Sequence, residues 1–166
     1  DIKSLLSNNE GWETIMLDQS TIANLATLQI AGLEKPEWPA AWVLQGKEGT
    51  AIYRTSIDMT RQMLTEGQTM IEFACVDDAG TLFVNGKEVA SHDAWDKPFV
   101  ANMKDFLHEG ENNVAIVVRN SSGAGGLLKG IRLFSELKIL KPLKWEVALD
   151  LGGVTQGYCG GKNAGG

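Results

Sequence analysis

The chain has 166 residues and a mass of 18.0 kDa, enough for one domain, with 43% apolar and 22% charged residues. That composition excludes global disorder and allows a core without disulfide staples. Fifteen Lys and Arg against 21 Asp and Glu leave a net charge of -6, so no basic surplus points to nucleic acid. No apolar run approaches the roughly 18 residues that a membrane-spanning helix needs. No secretory leader is visible, and Asp1 in place of an initiator Met fits a chain cut from something larger.

Residues 1–11 read as a polar lead-in, and Trp12 to Leu17 alternates loosely as a strand. Residues 18–49 contain Gly32, Pro36, Pro39, Gly46 and Gly49, and are expected to form a long irregular connection of the kind often tied to function. Thr50 to Asp58 alternates and is rich in β-formers. From Gln68 the alternation strengthens, with Ile71, Phe73 and Cys75 on one side of a strand. Thr81 to Val84 and Lys87 to Ala90 flank Asn85-Gly86. Asn-Gly between two strands marks a type I′ hairpin, because both central positions need φ > 0.

Phe99 to Ala101 is a short strand, after which Asn102 is expected to cap a helix over Met103–Glu109, ended by Gly110. Asn113 to Arg119 is nearly all apolar and predicts a strand buried on both faces. Gly123, Gly125 and Gly126 are expected to form a flexible loop, before strands at Leu127–Phe134 and Lys144–Leu149. Eight or nine short strands with one short helix predict an all-β fold, an antiparallel sandwich of the jelly-roll type, over residues 12–150. Residues 151–166 form a tail with seven glycines.

The two cysteines, Cys75 and Cys159, make no framework, although a bridge between them is open. Cys75 reads as a small buried hydrophobe. Only two histidines, His92 and His108, are present, and no GxSxG, HExxH or Cys/His zinc spacing occurs. Gly123-Ala-Gly-Gly-Leu-Leu-Lys-Gly fails as a nucleotide loop, because Leu128 stands where GxGxxG needs Gly and Gly130 where a P-loop needs Ser or Thr. Catalysis within the chain is therefore not expected. Asp77-Asp78 and the Asp93/Asp96 pair are carboxylate pairs of undefined separation. The first reads as a turn; a structural calcium on such loop oxygens is open. No other cofactor is expected.

Trp12 and Trp145 fall on strands and read as core, whereas Trp38, Trp42 and Trp95 fall in loops. A loop Trp either caps the core or offers a flat face to a pyranose ring. Trp95 shares six residues with His92, Asp93 and Lys97, which adds an imidazole, a carboxylate and an ammonium to one stacking face. The candidate ligand site is therefore Trp95, His92, Asp93 and Lys97, facing the chain after Arg119 and Asn120.

Three stretches then carry a resemblance: Val76-Asp-Asp-Ala-Gly-Thr-Leu-Phe-Val-Asn-Gly-Lys-Glu-Val, Trp95-Asp-Lys-Pro-Phe, and Leu107-His-Glu-Gly-Glu-Asn-Asn-Val-Ala-Ile-Val-Val-Arg-Asn. Together with Trp12 and Tyr53-Arg54 they resemble the galactose-binding-domain-like jelly roll over roughly residues 12–134. That module accompanies glycoside hydrolases of the β-galactosidase and β-glucuronidase kind, and is similar to the insert of sialate O-acetylesterases. His92-Asp-Ala-Trp95-Asp-Lys-Pro stands where family 2 glycosidases usually place a Gly-Gly-aromatic stretch, and is closer to the esterase insert. The resemblance implies a non-catalytic, carbohydrate-binding accessory module of a larger glycan-degrading enzyme. Its partners would be a carbohydrate ligand and a catalytic domain, with no nucleic acid or membrane partner, in a secreted or periplasmic setting. The alternative it implies is a purely structural domain that braces a hydrolase or esterase catalytic domain.

Overall fold

Two eleven-residue strands, rich in apolar and β-branched side chains, build the spine. Strand β2 (Gly49–Met59) and strand β8 (Gly110–Asn120) pair antiparallel in unbroken register, from Gly49 opposite Asn120 to Met59 opposite Gly110. The computed structural model describes residues 6–7, 10–15, 49–65, 67–121, 125–127, 131–135, 139–140 and 145–150. Residues 18–48 of the expected long connection, with Trp38 and Trp42, as well as Gly123, Cys159 and the glycine-rich tail, lie outside the described residues, whereas Gly49 opens β2.

The remaining strands in chain order are β1 (Glu13–Ile15), β3 (Thr69–Phe73), β4 (Val76–Asp77), β5 (Ala79–Val84), β6 (Lys87–His92), β7 (Phe99–Asn102), β9 (Gly126–Leu127), β10 (Ile131–Ser135), β11 (Ile139–Leu140) and β12 (Trp145–Asp150). A six-stranded sheet runs β1-β12-β2-β8-β5-β6, and a four-stranded sheet runs β11-β10-β3-β7. Strands β4 and β9 pair separately. All these pairings are antiparallel. The fold is an all-β antiparallel sandwich.

The inner faces meet in one core. Tyr53, Ile57, Leu82, Val114, Ile116, Val118 and Trp145 from the larger sheet pack with Ile71, Phe73, Phe99, Ala101, Ile131 and Leu133 from the smaller. Strand β8 is buried on both faces from Val114 to Val118. Val117 joins Ile52 and Phe83 in a second cluster on the outer face of the larger sheet, against Leu6 and Trp12. This explains why β8 lacks the alternation of a half-solvated strand.

Two local expectations are corrected. The helix expected over Met103–Glu109 is a single 3-10 turn, Lys104–Phe106. Side chains capture the backbone that a longer helix would use. Asn102 Oδ1 accepts from the Lys104 N–H, and Asn112 accepts from the His108 N–H while donating to the carbonyls of His108 and Gly110. The short α-helix lies instead at α1 (Arg61–Thr65), where Thr60 Oγ1 accepts from the Met63 N–H as an N-cap. Glycines 125 and 126 do not form a flexible loop. Both are buried with positive φ, and Gly126-Leu127 pairs with Val76-Asp77.

Candidate functional site

The β6–β7 connection, residues 93–98, crosses from the edge of the larger sheet to the edge of the smaller. His92 ends β6 rather than lying in the loop. Its ring stacks on Phe99, with centroids 5.0 Å apart and planes within 3°. Phe99 lies opposite Phe73 in register, ring centroids 5.8 Å apart, so the stack rests on the core. His92 Nε2 lies 2.8 Å from the Ala94 carbonyl and 2.9 Å from the Lys97 carbonyl. Both oxygens only accept, so Nε2 carries the proton. The Lys97 N–H donates to the Ala94 carbonyl at 3.1 Å, and the Cys75 thiol donates to the Trp95 carbonyl at 3.3 Å.

With the loop backbone held inward, its side chains project outward. Trp95 is 61% exposed, so it does not cap the core. Asp93, Asp96 and Lys97 are exposed around it. His92 is half-buried and spends its Nε2 proton on the loop itself.

The second half of the expected site lies two strands away. His92 pairs with Gly80, and Gly80 pairs with Val118, so the end of β8 is about 10 Å from His92 across the sheet. Gly80 fits here because a Cβ would meet Val76 Cγ1 at 2.8 Å. Arg119 is half-buried and Asn120 is fully buried; both lie within β8, not in a loop. Asn120 thus sits inside the sandwich, while Trp95, Asp93 and Lys97 share the exposed loop.

Sequence reasoning read Asp77-Asp78 as a turn, weighed it as a carboxylate pair of undefined separation, and left a calcium on its oxygens open. The Asp78 carboxylate accepts from both the backbone N–H and the hydroxyl of Ser121, at 2.9 and 2.8 Å, and the Asp78 N–H donates to the Arg119 carbonyl. Burial pushes the Asp77 carboxyl above its ordinary range, and the hydrogen bond to Asp78 and the charge of Asp78 push it the same way. Two carboxyls in hydrogen-bond contact are too close to flank a glycosidic bond, which needs roughly 5 Å or more between them. Asp78, the residue after β4, ties that strand to the end of β8. Among the described residues no cluster of three or more His, Cys, Asp or Glu side chains converges to hold a metal ion. The Cys75 tether was likewise missed. Twenty residues separate it from Trp95, and no local pattern reports such a contact.

A family model described as glycosyl hydrolases family 2, sugar binding domain, matches residues 6–130. Among solved structures, a β-D-mannosidase from Dictyoglomus thermophilum is 28% identical over 41% of this chain and 8% of its own, with a TM-score of 0.38. An FMN-binding β-glucuronidase from Facaelibacterium prausnitzii L2-6 is 19% identical over 84% of this chain and 21% of its own, with a TM-score of 0.49. A β-glucuronidase from Ruminococcus gnavus is 18% identical over 63% and 20%, with a TM-score of 0.42. The chain thus spans about a fifth or less of the length of these proteins. No curated protein matches it.

Proposed function

The chain belongs to the sugar-binding domain family of the family 2 glycosyl hydrolases, a non-catalytic, carbohydrate-associated module, and from that premise we propose that the loop 93–98 is its sugar-binding site, with Trp95 as the platform. The observation that carries this reading is the bare indole of Trp95 on a loop whose backbone is tied to the sandwich. A flat aromatic face stacks on the C–H face of a pyranose, and nearby polar groups orient the hydroxyls. Asp93, Asp96 and Lys97 supply those groups. Two carboxylates against one ammonium favour a neutral sugar over a uronate, whose charge the loop would repel. Arg119 and Asn120 support the neighbouring strand end. A monosaccharide offers few apolar atoms, so a dissociation constant of order 1 mM, about −4 kcal/mol, is expected.

In this reading the sandwich is a jelly roll serving a larger glycoside hydrolase, secreted or periplasmic, whose catalytic domain is its protein partner. Nucleic acid and membrane play no part in it. Among the described residues no helix is long and apolar enough to cross a membrane. The test is a titration of the chain with methyl glycosides, followed by nuclear magnetic resonance. Trp95→Ala is expected to abolish binding while the melting temperature stays within about 2 °C, because an exposed side chain contributes little to the core. Binding that survives the substitution places the site elsewhere. A second reading draws on the exposure of Val100, 46%, beside that of Trp95: both would dock a catalytic domain. It is favoured if no glycan binds and Trp95→Ala weakens association with that domain instead.

A further inference from the structure

We propose that His92 is a positioning residue for Trp95: it fixes the 93–98 loop before any ligand arrives and makes no contact with the sugar itself. The proposal rests on the reading of Trp95 as the platform. Three consecutive facts of geometry carry it. First, the His92 ring is fixed, stacked at 5.0 Å on Phe99, which is 3% exposed and packed on Phe73. Second, its one Nε2 proton is shared between the carbonyls of Ala94 and Lys97, which bracket Trp95. Third, the Trp95 carbonyl is held by the buried thiol of Cys75.

The carbonyls of residues 94, 95 and 97 are thus all bound by the sandwich, and the Trp95 side chain is left outside. A loop ordered at folding loses no further freedom when ligand binds. That saving matters most for a weak ligand with few contacts. His92 is poorly suited to be a ligand contact, because the nitrogen that faces the loop is already committed twice. Phe keeps the stack on Phe99 but has no N–H. Gln reaches a similar distance with an amide N–H but has no ring. The two variants therefore separate packing from hydrogen bonding.

The test compares the wild-type chain with His92→Phe, His92→Gln and Trp95→Ala. It measures amide hydrogen exchange at residues 94–97, the dissociation constant for a methyl glycoside that binds the wild type, and the melting temperature. His92→Phe is expected to speed exchange in the loop about tenfold or more, and to weaken binding by about threefold to tenfold, with little change in melting. His92→Gln is expected to recover most of both. Trp95→Ala is expected to abolish binding while loop exchange stays slow. Unchanged exchange and affinity in His92→Phe would overturn the proposal. So would weakened binding with unchanged exchange, which would make His92 a direct contact. If no glycoside binds the wild type, the platform reading fails on its own, and the exchange rates still decide whether His92 holds the loop.

Discussion

The guanidinium carbon of Arg54 lies 3.7 Å from the centre of the Trp12 ring, on the outer face of the larger sheet. The same side chain pairs with Glu146 at 3.2 Å and donates to the Leu6 carbonyl at 2.5 Å. One residue of β2 thereby binds the lead-in, the residue before β1, and β12. Arg54 lies directly opposite Glu146 in register, so the pair is also a cross-strand pair. The arrangement needs a planar fork of donors and a cation over an aromatic face, which Arg provides and Lys does not.

Arg54→Met is expected to cost about 1–3 kcal/mol in denaturant unfolding, because it leaves Glu146 and the Leu6 carbonyl without their donor in a half-buried place. Arg54→Lys is expected to fall between the two, restoring charge without the fork. Limited proteolysis is expected to cut the lead-in sooner in Arg54→Met than in the wild type. An equal cutting rate would show that other contacts hold the segment.

Asn85 takes φ 52° and Gly86 φ 79°, the pair of positive values that a type I′ turn requires. Asn85 also donates to the Phe106 carbonyl and to Asn112 Oδ1, both at 2.9 Å, and accepts from the Asn113 N–H at 3.0 Å. Gly86→Val is expected to cost roughly 1–3 kcal/mol through backbone strain. Asn85→Gly keeps the turn but removes the three bonds, and is expected to cost about 2–3 kcal/mol. Chemical denaturation of both variants distinguishes turn strain from the lost network.

Tyr53 is fully buried, and its hydroxyl oxygen accepts from the Leu127 N–H at 3.4 Å. Burial pushes the phenol well above its ordinary value of 10.0. The unfolded chain therefore releases this proton at a pH where the folded chain still holds it. Stability is expected to fall as pH rises above about 10, with a slope from this group of up to about 1.4 kcal/mol per pH unit. Tyr53→Phe is expected to be less stable at neutral pH by about 1 kcal/mol, yet to lose stability more slowly above pH 10. Parallel alkaline slopes for the two proteins would remove Tyr53 as the cause.

Asp77 is raised for the same first reason, burial, and then by the hydrogen bond and charge of Asp78. The folded state keeps the Asp77 proton to a higher pH than the unfolded state, whose carboxyl ionises near 3.8. Stability from this group is present below that value and is lost as pH rises through the raised folded value. Asp77→Asn keeps an acceptor for the backbone and removes the charge. Its melting temperature is expected to exceed that of the wild type by about 1–3 °C at neutral pH, with the gain vanishing near about pH 3. A gain that persists in acid would have another origin.

Elements with a strong local signal were legible in the sequence. The alternation of residues 50–58 became β2, and the apolar run 113–119 became the interior of β8, because a strand buried on both faces has no polar side to display. Asn85-Gly86 marked its hairpin, because few residue pairs tolerate two positive φ values. The Trp95 loop was legible as a gathering of residue types. The helix expected after Asn102 was not realised, because Asn112, ten residues on, competes for the same backbone groups.

By itself the sequence determined the all-β class, the main hairpin turn, the strand at the centre of the core and the loop that carries the exposed indole. These rest on local periodicity and on φ preferences, which act between near neighbours. Only the tertiary structure decided which partners those residues meet. Stacking on Phe99 and a shared proton made His92 a tether rather than an exposed group. Pairing with β4 buried Gly126-Leu127, and Asp78 met Ser121 across 43 residues of chain. Hydrogen bonds and burial depend on distance in space, and strand pairing brings together positions whose separation along the chain carries no local mark.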